Sequence, residues 1–156
     1  MCVLIAPTGF SISVCDAVVA AGHPFSYLPD EEEVERAFVA AAEALRRGGV
    51  LAVDICDLEW GLARQHAPNL GRAGEDWAII TEFSSPSPER FVRQMAVFVR
   101  NQDGSWRRDD ERHYNVLIGT TGLPLFLTEH HVEAIVTSTF GAETLPVGLR
   151  SVVGHR

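Results

Sequence analysis

The stretch over residues 16–57 constrains the fold of this chain more than any other part, because it reads as strand, helix and strand without interruption. Residues 16–21 (DAVVAA) and 50–53 (VLAV) are largely apolar, as strands buried on both faces are. A helix between two such strands is typical of a crossover between parallel neighbours. The pattern predicts an α/β protein with a parallel sheet, and such sheets bind ligands at the carboxyl ends of their strands.

The crossover helix has recognisable start and stop signals. Asp30 followed by Glu33 indicates an N-terminal capping box, and the glutamates of the first turn complement the helix dipole. The apolar side chains recur at helical spacing and form one stripe: Val34, Phe38, Ala41, Ala42 and Leu45. Gly48 and Gly49 predict the end of the helix, because glycine tolerates the positive φ that a helix terminus often needs.

Polar or flexible residues follow both predicted strands. Gly22 and His23 come after the first strand, and His23 is either a ligand contact or a loop histidine held by backbone hydrogen bonds. Asp54 interrupts the apolar run of the second strand, and since burying a lone carboxylate is costly, we predict that it faces a cleft. Asp57 is interpreted as a solvated turn residue.

The second half of the chain changes character and predicts an antiparallel sheet. Three extended segments cover residues 77–83, 91–100 and 105–116, and Asp103-Gly104 between the last two is a strong hairpin signal. The other predicted elements are a strand over 3–5, a short helix over 58–65, a helix near Pro124 and closing strands over 132–137 and 149–153.

Two further residues of these regions are open to two interpretations. His113 follows a charge-dense segment, which usually indicates a solvated face, but a histidine there can also act as a general base or contact a substrate. Tyr27 either packs beneath the crossover helix or offers its hydroxyl to a ligand. The sequence alone leaves both alternatives open.

The composition excludes several classes of protein. A length of 156 residues suits one domain, and the net charge of −8 argues against nucleic acid or an anionic membrane as partner. All 13 basic residues are arginine, which excludes lysine Schiff-base chemistry and the P-loop lysine. Three cysteines without a CxxC pair, no signal-peptide pattern and no apolar run long enough for a bilayer predict a cytoplasmic protein with reduced thiols.

The motifs that usually hold a nucleotide or a metal are missing from the sequence. None of the 13 glycines forms a G-x-G arrangement, so the dinucleotide-binding fingerprint is absent. His130 and His131 are adjacent, and neighbouring helical residues do not face one site, so we predict no metal. No serine lies in a G-x-S-x-G elbow either.

Several stretches together resemble a known family. Residues 15–28 (CDAVVAAGHPFSYL), the helix with the acidic start and residues 45–54 (LRRGGVLAVD) are similar to the second half of class I S-adenosylmethionine-dependent methyltransferases. The small-molecule and amino-sugar N-methyltransferases are the most similar type. The later antiparallel stretch with Glu111-Arg112-His113-Tyr114, followed by a helix and two strands, is similar too.

The resemblance implies a specific fold. It covers residues 15–156 and implies a partial Rossmann-like methyltransferase sheet with parallel strands, an antiparallel β insertion over about 77–116 and an antiparallel C-terminal strand. Residues 1–14 form an atypical N-terminal segment. The glycine-rich cofactor loop and the ribose-binding acidic residue of the family have no counterpart, so we expect a methyltransferase that lacks its N-terminal half.

The resemblance also implies a cofactor and site residues. The cofactor is S-adenosylmethionine, and its methionine end would be lined by Ala21, Gly22 and His23. Tyr27 and Asp54 are predicted to contact the substrate. The candidate catalytic residues are His23, His113 and Tyr27.

The implied function is methyl transfer from S-adenosylmethionine to a small molecule, whether or not this shortened chain is active. The alternative is a non-catalytic α/β binding or subunit protein derived from a methyltransferase. The missing glycine loop favours the alternative, and the downstream match favours descent from the enzyme. In the family the strand over 16–21 pairs with the missing half, so its open edge predicts a homodimer or a poorly soluble chain.

Overall fold

The computed structural model describes residues 14–156, so the strand predicted over residues 3–5 lies outside the described residues. The helices are α1 (Glu31–Ala44), α2 (Leu58–Arg64) and α3 (Leu123–Glu129). The strands are β1 (Cys15–Ala20), β2 (Leu45–Cys56), β3 (Leu70–Ala73), β4 (Trp77–Ser87), β5 (Arg90–Arg100), β6 (Trp106–Val116), β7 (Glu133–Thr137), β8 (Thr139–Phe140), β9 (Glu143–Thr144) and β10 (Leu149–His155).

The first sheet has the strand order β1-β2-β10-β7. β1 and β2 run parallel with Val18 opposite Leu51, as the crossover pattern predicted. β10 lies antiparallel between β2 and β7, so the antiparallel C-terminal strand is also confirmed. The carboxyl ends of β1 and β2 therefore lie at one rim of this sheet.

Helix α1 begins where the sequence predicted. Asp30 is its N-cap, and the Glu33 backbone N–H donates to the Asp30 carboxylate at 2.9 Å. The apolar stripe is buried in the main core, where the ring of Phe38 meets Phe25 edge-on at a centroid distance of 5.1 Å. Burial of this stripe against the sheet stabilises the helix more than its intrinsic propensity does.

The predicted end of α1 is wrong. The helix stops at Ala44, and Gly48 and Gly49 belong to β2, where the pairing with β1 is irregular and Gly48 has a φ of 79°. The Arg156 guanidinium satisfies the carbonyl groups at the helix end in place of a glycine cap. It donates hydrogen bonds of 2.9, 2.7 and 2.7 Å to the carbonyl oxygens of Ala42, Glu43 and Leu45.

The second sheet has the order β3-β4-β5-β6 and is antiparallel throughout, which confirms the predicted β insertion. The predicted hairpin joins β5 to β6, and Gly104 in its turn has a φ of 85°. Near its start β5 packs on α2, while the C-terminal end of β6 lies against a 3₁₀ turn over Pro24–Tyr27. No helix in residues 14–156 combines the length and hydropathy needed to cross a membrane.

Asp57 is a structural bridge rather than the solvated turn residue that the sequence indicated. Its carboxylate accepts hydrogen bonds from the Glu59 N–H at 3.1 Å and from the Thr120 hydroxyl at 2.6 Å. Burial works to raise the pKa of Asp57, but these bonds and the charge of Arg150 outweigh it and hold that pKa below its usual value. Asp57 thus joins the start of α2 to the segment after β6.

Candidate functional site

The loop after β1 lies at the carboxyl rim of the parallel strand pair. Its backbone is left-handed at two consecutive residues, with φ of 89° at Gly22 and 48° at His23. Such a conformation is unfavourable for a histidine and persists only where the surroundings hold it. Ala21 and Gly22 are exposed, and a Cβ built on Gly22 would meet no atom within 4 Å, so there is open space above this loop.

Asp54 supplies the support for this loop. Its side chain is buried, with 6% exposed, and it lies at the carboxyl end of β2. The backbone N–H groups of Gly22 and His23 donate to its two oxygens at 3.0 and 2.6 Å. The carboxylate therefore points at the loop backbone instead of opening into a cleft, and its contact with a substrate stays a prediction.

The three candidate catalytic residues lie in one aromatic row, although 90 positions separate the first from the last. The rings of His23 and Tyr27 stack with centroids 5.7 Å apart, and the His113 ring meets Tyr27 edge-on at the same distance. The 3₁₀ turn carries Tyr27 from the first sheet toward β6, which carries His113. Their roles in catalysis stay predictions.

Hydrogen bonds extend this row toward solvent. The Tyr27 hydroxyl lies 3.2 Å from Nδ1 of His113, and Nε2 of His113 lies 3.2 Å from a carboxylate oxygen of Glu111. Tyr27 is 43% exposed, so part of this residue faces solvent at the rim. The arrangement can move a proton, because a phenol, an imidazole and a carboxylate follow one another within hydrogen-bonding reach.

The His23 imidazole is held in its neutral form at neutral pH. Burial is the largest cause that lowers its pKa below the ordinary 6.5, and the positive charges of Arg93 and Arg64 lower it further. Asp54 acts in the opposite direction, yet the net shift is downward. A neutral ring at this position does not repel a cationic ligand.

Sequence reasoning missed Trp60, which forms the other end of the aromatic row. Its ring lies 5.7 Å from that of His23, and the Arg64 guanidinium sits 3.3 Å above its centroid. Its position in the first helix after β2 is a signal that could have found it, because that helix starts at the same rim. The indole N–H is buried and has no hydrogen-bond partner within residues 14–156.

A second opening lies at the far side of the same rim. A cavity of about 600 Å³ separates α3 from the end of β7 and contains none of the predicted site residues. It is lined by Thr120, Thr121, Pro124, Val136, Thr137, Ser138 and Arg150.

Over the part of the chain that the structure describes, no three His, Cys, Asp or Glu side chains are grouped as metal ligands.

Comparison by sequence finds no matching family model and no matching curated protein. Solved structures do match. An S-adenosylmethionine-dependent methyltransferase from Clostridium acetobutylicum superposes on 92% of this chain with a TM-score of 0.76 and 14% identity. The sugar N-methyltransferase KedS8 from a Streptoalloteichus species gives a TM-score of 0.71 at 20% identity over 92% of the chain. DesVI from Streptomyces venezuelae gives 0.71 at 17% over the same share.

These likenesses confirm the predicted fold. The aligned part is 58% of the Clostridium protein, 57% of KedS8 and 59% of DesVI, so this chain spans less than two thirds of each. Identities of 14–20% establish a shared fold and leave activity open. The resemblance drawn from the sequence to small-molecule and amino-sugar methyltransferases therefore agrees with the structures that this chain is similar to.

Proposed function

We propose that this chain, which has the fold of part of an S-adenosylmethionine-dependent methyltransferase, provides the acceptor side of a site that methylates a small molecule. The observation that carries the proposal is the convergence of His23, Tyr27 and His113 at the carboxyl rim of β1 and β2. Ligands of parallel sheets bind at this rim. We also propose that the protein is located in the cytoplasm and that it binds neither nucleic acid nor a membrane.

The loop after β1 fits the methionine end of S-adenosylmethionine. Open space lies above Gly22, and the neutral ring of His23 does not repel a sulfonium. Asp54 fixes the loop backbone from below, so the exposed Ala21 and Gly22 would meet the cofactor in one defined conformation. When bound, the cofactor supplies an electrophilic methyl group on a sulfonium.

The residues of this chain would orient the acceptor and remove its proton. Displacement at a methyl carbon requires an in-line approach, and good orientation alone provides effective molarities of roughly 10⁵–10⁸ M. The acceptor must also carry a free electron pair. Tyr27 and His113 stand where they would take a proton from an amine or hydroxyl held at the rim, and their hydrogen bond supports this role.

The alternative is a non-catalytic α/β binding or subunit protein. One observation favours it: this sequence of 156 residues contains no glycine-rich cofactor loop. Such a protein would keep the scaffold and its aromatic row but would bind no S-adenosylmethionine.

Calorimetric titration with S-adenosylmethionine decides between the two. A Kd below about 100 μM, equivalent to about −5.5 kcal/mol, is expected for a working site. His23→Asn keeps a residue type that tolerates the left-handed backbone, and we expect it to weaken binding about tenfold. His66→Asn, at an exposed histidine outside the site, is the matched control. Absence of binding to the wild-type chain would leave the non-catalytic alternative.

The acceptor class is tested separately by mass spectrometry. A panel of amino sugars and simple amines is incubated with the protein and S-adenosylmethionine, and a mass gain of one methyl group on an acceptor supports the enzyme. Cofactor binding without transfer to any acceptor would contradict an acceptor side for small amines.

A homodimer through the edge of β1 is a further part of the proposal. Among the described residues, β1 pairs with β2 on one side only, and Val19 on this edge strand is 37% exposed. An unpaired edge strand is a template for another strand. We expect a dimer by light scattering, and a monodisperse monomer would contradict it.

A further inference from the structure

We infer that Glu111 is a positioning residue that selects the His113 tautomer, so that Tyr27 can pass a proton from an amine acceptor to His113. The inference rests on the proposed function for the identity of the acceptor. The selection of the tautomer itself requires neither cofactor nor acceptor.

The geometry defines which ring nitrogen carries the hydrogen. Glu111 and His113 are two residues apart on β6 and so point to the same face, with the carboxylate 3.2 Å from Nε2. An ionised carboxylate only accepts hydrogen bonds, so Nε2 must carry the hydrogen. In the neutral ring Nδ1 is then the acceptor, and the Tyr27 hydroxyl 3.2 Å away donates to it.

The other charged groups around the ring do not compete for this role. Arg93 on β5 lies directly opposite His113, and it carries donors only, so it cannot accept from either ring nitrogen. Arg112 points to the opposite face of β6, where it donates to Gln94 at 2.6 Å. Tyr27, from the 3₁₀ turn, has no charge of its own while its hydroxyl is protonated. Glu111 therefore decides the tautomer.

The proton transfer that follows is balanced. The N–H bond of an acceptor ammonium breaks and a new O–H bond forms on Tyr27, while the original O–H bond of Tyr27 breaks and an N–H bond forms at Nδ1 of His113. The acceptor is left with a free electron pair, and the imidazolium is paired with the Glu111 carboxylate. Glu111 is 55% exposed, so the proton can leave from there to water.

The opposite tautomer would stop this relay. With the hydrogen on Nδ1, the ring would face the Tyr27 hydroxyl as a donor and could not take its proton. In other enzymes too, a third group orients the base although it does not itself touch the reacting atoms. Glu111 thus acts only through His113.

The tautomer can be read directly from long-range proton–nitrogen correlation spectra of the imidazole rings, with the His113 signals assigned from a His113→Asn sample. We expect the wild-type ring to carry its hydrogen on Nε2. In Glu111→Ala the preference should be lost, while Glu111→Gln should keep it because the amide oxygen still accepts. Asp109→Ala removes a carboxylate from the same face of the same strand and should change nothing.

A hydrogen on Nδ1 in the wild type, or an unchanged tautomer in Glu111→Ala, would overturn the inference. For an active preparation, Glu111→Ala should lower kcat about 10²-fold with the Kd of S-adenosylmethionine unchanged, and Glu111→Gln should recover part of the loss. A kcat for Glu111→Ala equal to that of Asp109→Ala would also overturn it. If no acceptor is ever methylated, the proposed function fails, and the spectra still decide the tautomer.

Discussion

The two sheets of this protein differ in how deeply their strands are buried. In the first sheet, residues such as Leu51 and Val53 are fully buried, because α1 and α3 contribute side chains to the core that covers the strands. In the second sheet, most of β5 is only half-buried, and β6 is exposed from Trp106 to Arg112. The second sheet joins the first through a small cluster around Phe91 and Leu117. One sheet thus provides the scaffold, and the other contributes one end to the site.

The candidate site lies at the junction, and this explains its composition. His23 and Tyr27 follow β1 of the first sheet, and the backbone of His23 is held by Asp54. His113 is half-buried and comes from the C-terminal end of β6, which is more buried than the rest of that strand. These two halves of the site meet where Tyr27 and His113 touch, through an edge-on ring contact and a hydrogen bond of 3.2 Å. Substitutions that separate the two halves should therefore affect stability and chemistry differently.

The largest effect is expected from a matched pair of phenylalanines. Phe38→Ala removes a fully buried ring from the core of the first sheet and should lower the free energy of unfolding by about 3–5 kcal/mol. Phe98→Ala removes a half-buried ring of the second sheet and should cost about 1 kcal/mol. Urea denaturation measures both, and equal losses would contradict the contrast between the sheets.

Substitution of Asp54 tests how firmly the first sheet holds the loop after β1. Asp54→Ala leaves the N–H groups of Gly22 and His23 without their acceptor, so we expect a loss of about 2–3 kcal/mol and faster amide exchange at both positions. Asp16→Ala removes an exposed carboxylate from β1, where it pairs with Arg46, and should cost under about 1 kcal/mol. Unchanged exchange at His23 in Asp54→Ala would show that the loop does not depend on this carboxylate.

His23 should make stability depend on pH. Its pKa is lower in the folded chain than the ordinary 6.5, so below pH 6.5 the unfolded chain binds more protons at this residue. The contribution is complete above pH 6.5 and is lost as the pH falls toward the lowered pKa. Urea titrations of wild type and His23→Asn should diverge in this window, whereas His66→Asn should follow the wild type.

The smallest effect is expected at the exposed strand of the second sheet. Arg107 and Asp109 form an ion pair of 2.9 Å with both side chains more than half exposed. Arg107→Ala should change the free energy of unfolding by less than about 0.5 kcal/mol, and added salt should remove even that difference. A loss comparable to that of Asp54→Ala would mean that the second sheet is more tightly organised than its exposure indicates.

Much of the fold could be predicted because its signals are local. The capping box at Asp30, the Asp-Gly turn before β6 and the apolar strands of the crossover each act within a few residues. The end of α1 could not be predicted in the same way. Arg156, more than 100 positions later, caps the helix, and local glycines were the only visible signal.

The residues of the candidate site could be predicted from the sequence, but their arrangement in space could not. His23, Tyr27 and His113 could each be selected from position and residue type, but their contact depends on how β6 lies over the 3₁₀ turn. Asp54 shows the limit most clearly. Its place in an apolar strand indicated a special role, and only the fold shows that its oxygens face a backbone loop.

The order of residues along the chain sufficed for the strand–helix–strand unit, the antiparallel insertion and the exclusion of a glycine-rich phosphate loop, because periodicity and turn chemistry depend on neighbours in sequence. The tertiary structure alone decided which side chains meet. Hydrogen bonds and ring contacts act over a few ångströms in space, and the partners of His113 and Asp54 come from distant parts of the chain.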